Sequence, residues 1–431
     1  MDALLQAIEQ RREALVSFCR DLVRVPTVNP PGAHYRECAE LLGNRLQRLG
    51  FETLYLRAEG APGDSDRWPR INLIARREGA RPGPCVHFNG HLDVVPAGEG
   101  WSIDPWAGEL RDGKLYGRGS CDMKGGIAAA VIAVEALLEV WPDFSGAIEI
   151  SGTADEESGG FGGVAWLAGR GFFSKPRVDH VIIPEPLDVD RVCIGHRGLW
   201  WAEVETFGRI AHGSMPFLGD CAIRHMAAFL ERLETELMPR LAARRTAMPV
   251  VPEEARASTL NLIAIHGGQP EGHGGLPSSC VADSCRLIVD RRYLIEEEPA
   301  AVEREIRDIL ERLARERPGF AYRIRELQAV EPVLADPGQP VPRAVAAALR
   351  RVLGRDPAFV CSPGTYDQKH IRRIGRLEDC VAYGPGILDL AHQPDEFVGV
   401  EDMVTAAKVM ALAAMRLLGG PPDRADPRLT G

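Results

Sequence analysis

The sequence predicts an α/β fold interrupted by a smaller α+β unit. Short apolar runs of strand length alternate with stretches of helical periodicity from the N-terminus to about residue 183. The character changes near His196, where strand, helix, two strands and helix follow one another as in a split βαβ unit. After about Val330 the first pattern resumes. The boundaries this gives are 1–195 and 331–431 for the larger domain and 196–330 for the insert.

Leu4, Leu5, Ile8, Leu15, Phe18, Leu22 and Val23 recur at helical spacing and Pro26 stops the run, which predicts one N-terminal helix. A second amphipathic helix is expected over roughly 37–49. Residues 71–75 and 85–88 have the length and β-branched content of buried strands. Asp112-Gly113, between Glu109-Leu110 and Leu115-Tyr116, marks a tight hairpin. Residues 125–140, rich in Ala, Val, Ile and Leu and followed by Pro142, read as a buried helix feeding a strand at 147–151. In the insert, strands are expected at 199–207, 260–265 and 280–289, a long helix at 221–237 and another from Glu296. Trp200 and Trp201, neighbours on a strand, should face opposite ways. Helices at 341–353 and 401–418 close the chain, and low complexity is confined to the Gly/Pro-rich tail after Leu418.

A length of 431 residues, 45% of them hydrophobic, allows two domains with sizeable cores. The formal charge of −10 and the lack of a long Lys/Arg run argue against a nucleic-acid partner. Met1-Asp2-Ala3 leads into Glu9, Arg11, Arg12 and Glu13, without the apolar core of a secretion signal, and no apolar stretch reaches membrane-spanning length. Ten scattered cysteines with no CxxC pair suit reduced thiols in a cytoplasm.

Chemistry concentrates where strands end. Val86-His87-Phe88 runs into Asn89-Gly90-His91-Leu92-Asp93, which offers a histidine ligand with an orienting carboxylate two residues on. Tyr116-Gly117-Arg118-Gly119-Ser120-Cys121-Asp122 places Asp122 before a buried helix, where an aspartate is more often a simple N-cap. Asp155-Glu156-Glu157 follows another buried strand, and three consecutive acids there are costly without a cation. Pro184-Glu185-Pro186 ends the next strand, and Ala391-His392-Gln393 lies near the C-terminus. Open α/β sheets bind ligands outside the carboxyl ends of their strands. Two histidines with several carboxylates suit a pair of Zn²⁺, Mn²⁺ or Co²⁺ ions.

With these motifs in this order, the chain resembles the M20 metallopeptidases, the group of acetylornithine deacetylase, succinyl-diaminopimelate desuccinylase, aminoacylase and carboxypeptidase G2. The resemblance implies a catalytic domain with a central mixed sheet sandwiched by helices and an inserted ferredoxin-like lid that carries a homodimer contact. It implies His91, Asp122 and Glu185 on one metal and His392, Asp122 and Glu157 on the other, zinc foremost. Glu156 matches the general base that takes a proton from a metal-bridged water, and Asp93 orients His91. His212, in Ala211-His212-Gly213-Ser214, matches the lid histidine that reaches a partner's active site. Asn261, Arg292, Gly364 and Thr365 match positions that hold substrate, an arginine being suited to a carboxylate. Pro363 and Tyr366 replace the small residues of some desuccinylases and should narrow the pocket.

The implied activity is removal of an N-acyl group from a small carboxylate-bearing substrate, releasing an α-amino acid. A dipeptidase or carboxypeptidase, a deformylase and an aromatic-amine deaminase are alternatives on the same fold. A non-catalytic binding protein fits less well, because all five ligands and Glu156 are present.

Overall fold

The computed structural model describes residues 1–270 and 272–420. The tail after Leu418 lies, from residue 421 on, outside them. Among the described residues two compact units form, one of residues 1–195, 335–360 and 366–420 and one of residues 196–270, 272–334 and 361–365.

The larger unit is built on a mixed sheet in the order Glu52–Arg57, Ile71–Glu78, Ser145–Thr153, Arg81–His91, His180–Pro186, Cys380–Gly384 and Arg191–His196. Four neighbours in its middle, from Ser145–Thr153 to Cys380–Gly384, run parallel, while the flanking pairs are antiparallel. His91 pairs in register with Thr153, and Phe88 with Ile182, so the parallel strands end at one level. That register brings His91, the turn after Thr153 and Glu185 to one edge. The helix Gly125–Val140 is apolar except for Glu135 and Glu139, which pair with Arg11 and Arg45, and it lies against the strands. Its approach is closer than a side chain would permit, since a Cβ on Gly126 would stand 1.9 Å from the Pro184 carbonyl oxygen. Asp112 (φ 51°) and Gly113 (φ 72°) form the predicted hairpin turn between Glu109–Arg111 and Lys114–Tyr116.

The single N-terminal helix expected from periodicity is two, Asp2–Glu9 and Arg12–Val23. The Arg11 guanidinium donates to the Ala7 carbonyl at 2.8 Å, and the Arg11 N–H turns instead to Ile8 at 2.9 Å. A side chain thus occupies the acceptor that helix continuation requires.

The second unit is an antiparallel sheet in the order Thr259–Gly267, Ser284–Tyr293, Gly198–Phe207 and Ala321–Val330. The helices Ala222–Arg232 and Pro299–Glu316 bury Met226, Phe229, Ile306 and Leu310 in a core shared with the inner side chains of this sheet. The helix expected over 221–237 changes to a wider turn at Leu233–Leu237 before Met238–Ala242, where Pro239 has no N–H for the ladder. Trp200 enters the core, and the neighbouring Trp201 belongs to the opposite face.

Candidate metal centre

His91 is the last residue of its strand and is buried. Its Nδ1 lies 3.0 Å from the carbonyl oxygen of Asp93, so Nδ1 carries a proton and the Nε2 lone pair faces outward. Nε2 stands 3.0 Å from Asp122 Oδ1 and 3.8 Å from Glu185 Oε1. A lone pair facing two carboxylates requires a proton or a cation between them. The Asp93 carboxylate lies 3.7 Å from the same Nδ1, and the hydrogen bond to the ring is made by that residue's backbone carbonyl. Asp93 lies beyond the end of the strand, and its carboxylate accepts from the N–H groups of Glu156 (3.2 Å) and Glu157 (3.1 Å) and from Asn29 (3.0 Å).

Asp122 sits in the turn before the buried helix, entered through Gly119 at φ 82° and extended at φ −115°. Its N–H and that of Cys121 donate to Glu396 Oε1 at 3.1 and 2.9 Å. Glu396 Oε2 receives the buried Arg118 at 2.5 Å, and Arg118 also donates to the carbonyls of His392 (3.2 Å) and Gln393 (3.3 Å). One buried ion pair therefore ties the Asp122 turn to the loop bearing His392. Sequence reasoning missed both residues of this clamp. An arginine in a glycine turn and a glutamate in a polar loop look alike whether solvated or buried.

His392, at φ 65°, completes the cluster with Nε2 3.5 Å from Asp122 Oδ2 and 3.1 Å from Glu157 Oε2. Asp122 thus touches both histidines, one with each oxygen. Ligand atoms of His91, Asp122 and Glu157 all lie within 4.8 Å of one another. The electrostatics suit a cation among these carboxylates. Burial, then the charge of Asp122, pushes the Glu157 carboxyl up to about 7 and holds Glu185 well above the carboxylate range. Hydrogen bonds donated by the His392 ring to Asp122 and Glu157 raise the imidazole to about 10. The donor set, two imidazoles among three carboxylates, fits divalent ions.

Not all three acids of the turn join in. Asp155, at φ 64°, points away and is bound by Arg70 at 3.1 Å and Tyr35 at 3.0 Å. Burial, then Asp93, pushes its carboxyl up to about 6. Glu156 accepts from the buried Lys369 at 2.6 Å. Lys369 and Asp367, two residues before it, also went unread in the sequence.

The remaining expected residues belong to the second unit. His212 is exposed, its Nδ1 accepting from the Ser214 hydroxyl at 2.7 Å. Asn261, also exposed, pairs in register with Asp290, which in turn grips Arg292 with contacts of 2.7 and 3.1 Å. Arg291 is fully buried on Glu297 at 2.6 Å, which leaves Arg292 as the accessible arginine of the pair. Arg197, unread in the sequence, donates to the Pro363 carbonyl at 3.0 Å beside Gly364 and Thr365. Burial, then the charge of Arg292, pulls its pKa down to about 10. Tyr366 is buried in the first unit, with its hydroxyl on Gln368 at 2.7 Å.

The cluster and the sheet edge that builds it define a metal-dependent hydrolase. Residues 87–416 match the model of peptidase family M20/M25/M40, and the chain belongs to that family. It is 30% identical to the succinyl-diaminopimelate desuccinylase of Rhodospirillum centenum over 96% of this chain and 98% of that one. Its identity to the desuccinylase of Stenotrophomonas maltophilia is 31%, over 94% and 99%. Among solved structures, human carnosine dipeptidase 1 superposes with a TM-score of 0.79 at 20% identity, over 97% of this chain and 98% of that one. The dipeptidase Dug1p of Saccharomyces cerevisiae gives 0.79 at 16%, over 98% and 99%. The chain is a metal-dependent amidohydrolase, and no helix among the described residues is long and apolar enough to cross a membrane.

Proposed function

We propose that the chain removes an N-acyl group, succinyl foremost, from a small amino acid bearing a free carboxylate. The observation that carries the amide chemistry is Asp122, which offers one oxygen to His91 and the other to His392, with Glu156 alongside. His91, Asp122 and Glu185 would hold one ion and His392, Asp122 and Glu157 a second, with zinc the best match to the imidazole and carboxylate donors. When bound, such ions polarise an amide carbonyl and acidify water near neutral pH. The chain's own part is proton transfer. Glu156 takes the proton of the attacking water and returns it to the leaving nitrogen.

The substrate reading draws on the desuccinylase relatives, aligned over nearly their whole length. Arg197 and Arg292 support it, since the charge of Arg292 acts on Arg197 and, of the two, Arg292 alone is bonded to Asp290. Arg197 donates to the Pro363 and Ala257 carbonyls with no bonded carboxylate among the described residues, which leaves capacity for an anion. Assignment of His212, Asn261, Gly364 and Thr365 to the substrate rests on their match to the family motifs. The test is mass spectrometry of metal-loaded protein with N-succinyl, N-acetyl and N-formyl amino acids, dipeptides and aromatic amines. Succinate plus an amino acid is the expected product. Arg292→Met should raise KM for that substrate about tenfold or more, with kcat less affected. Two amino acids, formate or ammonia would move the enzyme to another substrate class with the same site.

A homodimer through the second unit is part of the same reading. Its edge strand Thr259–Gly267 exposes Ile263 and Ile265, and the segment after His212 exposes Phe217 and Leu218. Light scattering should give the mass of two chains, falling to one in Ile265→Glu; a monomeric native protein overturns the dimer. A reducing, cytoplasmic setting accords with free thiols, eight of the ten being buried.

A further inference from the structure

Lys369 is buried beside the acid turn, yet neither metal binding nor proton transfer as described uses it. Its side chain is 2% exposed and its Nζ lies 2.6 Å from Glu156 Oε1. Burying an ammonium is costly unless a charge and hydrogen bonds compensate it. The fold takes trouble to keep it there. On the same short helix, Gln368–Arg373, His370 bonds the Gly159 carbonyl at 2.7 Å and Gln368 donates to the Cys380 carbonyl at 2.6 Å. The residue before the helix, Asp367, receives Asn89 at 2.9 Å. Asn89 is itself fixed by the Ser151 hydroxyl at 2.7 Å, and Ser151 by His87 Nε2 at 2.7 Å. These bonds give Lys369 one place to point.

We propose that Lys369 is a positioning residue for Glu156. Its ammonium holds Oε1 and thereby commits Oε2 to proton transfer. The proton passes from water to Oε2 and then to the leaving amine, while Lys369 keeps its own proton throughout. This rests on Glu156 being the base, so the experiment separates the two ideas.

Lys369→Met, Lys369→Arg, Glu156→Gln and the double variant Lys369→Met/Glu156→Gln are compared for kcat, KM, thermal midpoint and metal content by elemental analysis. Lys369→Met should retain two ions and a KM within about threefold, with kcat reduced about 10²-fold. Lys369→Arg should recover most of that loss, because a guanidinium can hold the same oxygen. The double variant should be no slower than Glu156→Gln, since a residue acting through Glu156 has nothing further to lose. Lys369→Met with kcat within threefold of native, or with fewer ions, overturns the proposal. So does a double variant slower than Glu156→Gln. Should Lys369→Met fail to fold, Lys369→Arg decides. Near-native kcat supports positioning, and a fall as deep as that of Glu156→Gln overturns it. Turnover retained in Glu156→Gln would instead remove the base itself, whatever Lys369 does.

Discussion

Glu156→Gln is expected to lower kcat by about 10³-fold while leaving both ions bound and KM little changed. Glu156 is placed by its backbone, whose N–H donates to the Asp93 carboxylate at 3.2 Å, a bond that the amide variant keeps. It stands one residue from Glu157, the carboxylate that meets His392, but its own oxygen meets Lys369. Removing its basicity therefore should not disturb the ligand cluster. Glutamine is nearly isosteric but cannot accept the proton of an attacking water at neutral pH. The measurement is steady-state kinetics beside elemental analysis of the same sample. A kcat within tenfold of native, with metal intact, would show that another group takes the proton. A loss of metal would show that Glu156 is a ligand.

How much of this was legible beforehand depends on what kind of force holds each residue. Gly125–Val140 was readable because a stretch whose only charged residues are Glu135 and Glu139 has few alternatives to burial. The ends of the strands were readable too, and with them His91, Glu157 and Glu185, since an acid or histidine closing an apolar run advertises its own cost. The strand Ala321–Val330 escaped notice because it is an edge strand with Arg323 and Arg325 on its exposed side, so its pattern looks like a polar helix or loop. Cys380–Gly384 is too short and too rich in small residues to declare itself. The supporting residues were hidden for another reason. Arg118, Glu396, Lys369 and Asp367 are polar residues whose burial arises from contacts hundreds of positions apart in sequence, such as Arg118 with Glu396 and Glu156 with Lys369. No local pattern encodes such a pair. Asp155 shows the converse. It looked like a member of the acidic cluster, but a left-handed backbone turns it onto Arg70.

The contrast between Asp122→Asn and His392→Ala tests whether one carboxylate serves two ions. Asp122 meets His91 through Oδ1 at 3.0 Å and His392 through Oδ2 at 3.5 Å, whereas Glu185 approaches His91 and Glu157 approaches His392. Loss of His392 removes a donor from one side only, so His392→Ala should retain one ion per chain. Asp122→Asn removes the charge that both sides share and should retain none after gel filtration in chelator-free buffer. Its effect on affinity should exceed the roughly 10- to 100-fold cost of losing an outer partner of a metal ligand. Activity should vanish in step. The variant's fold is guarded by Glu396, which holds the Asp122 and Cys121 N–H groups and makes no use of the side chain being changed. Elemental analysis reads both stoichiometries directly. Two ions in Asp122→Asn would mean that the carboxylate is not shared. Equal losses in both variants would mean that the two ions bind only as a pair, and the separate assignment of His91 and His392 would have to be given up.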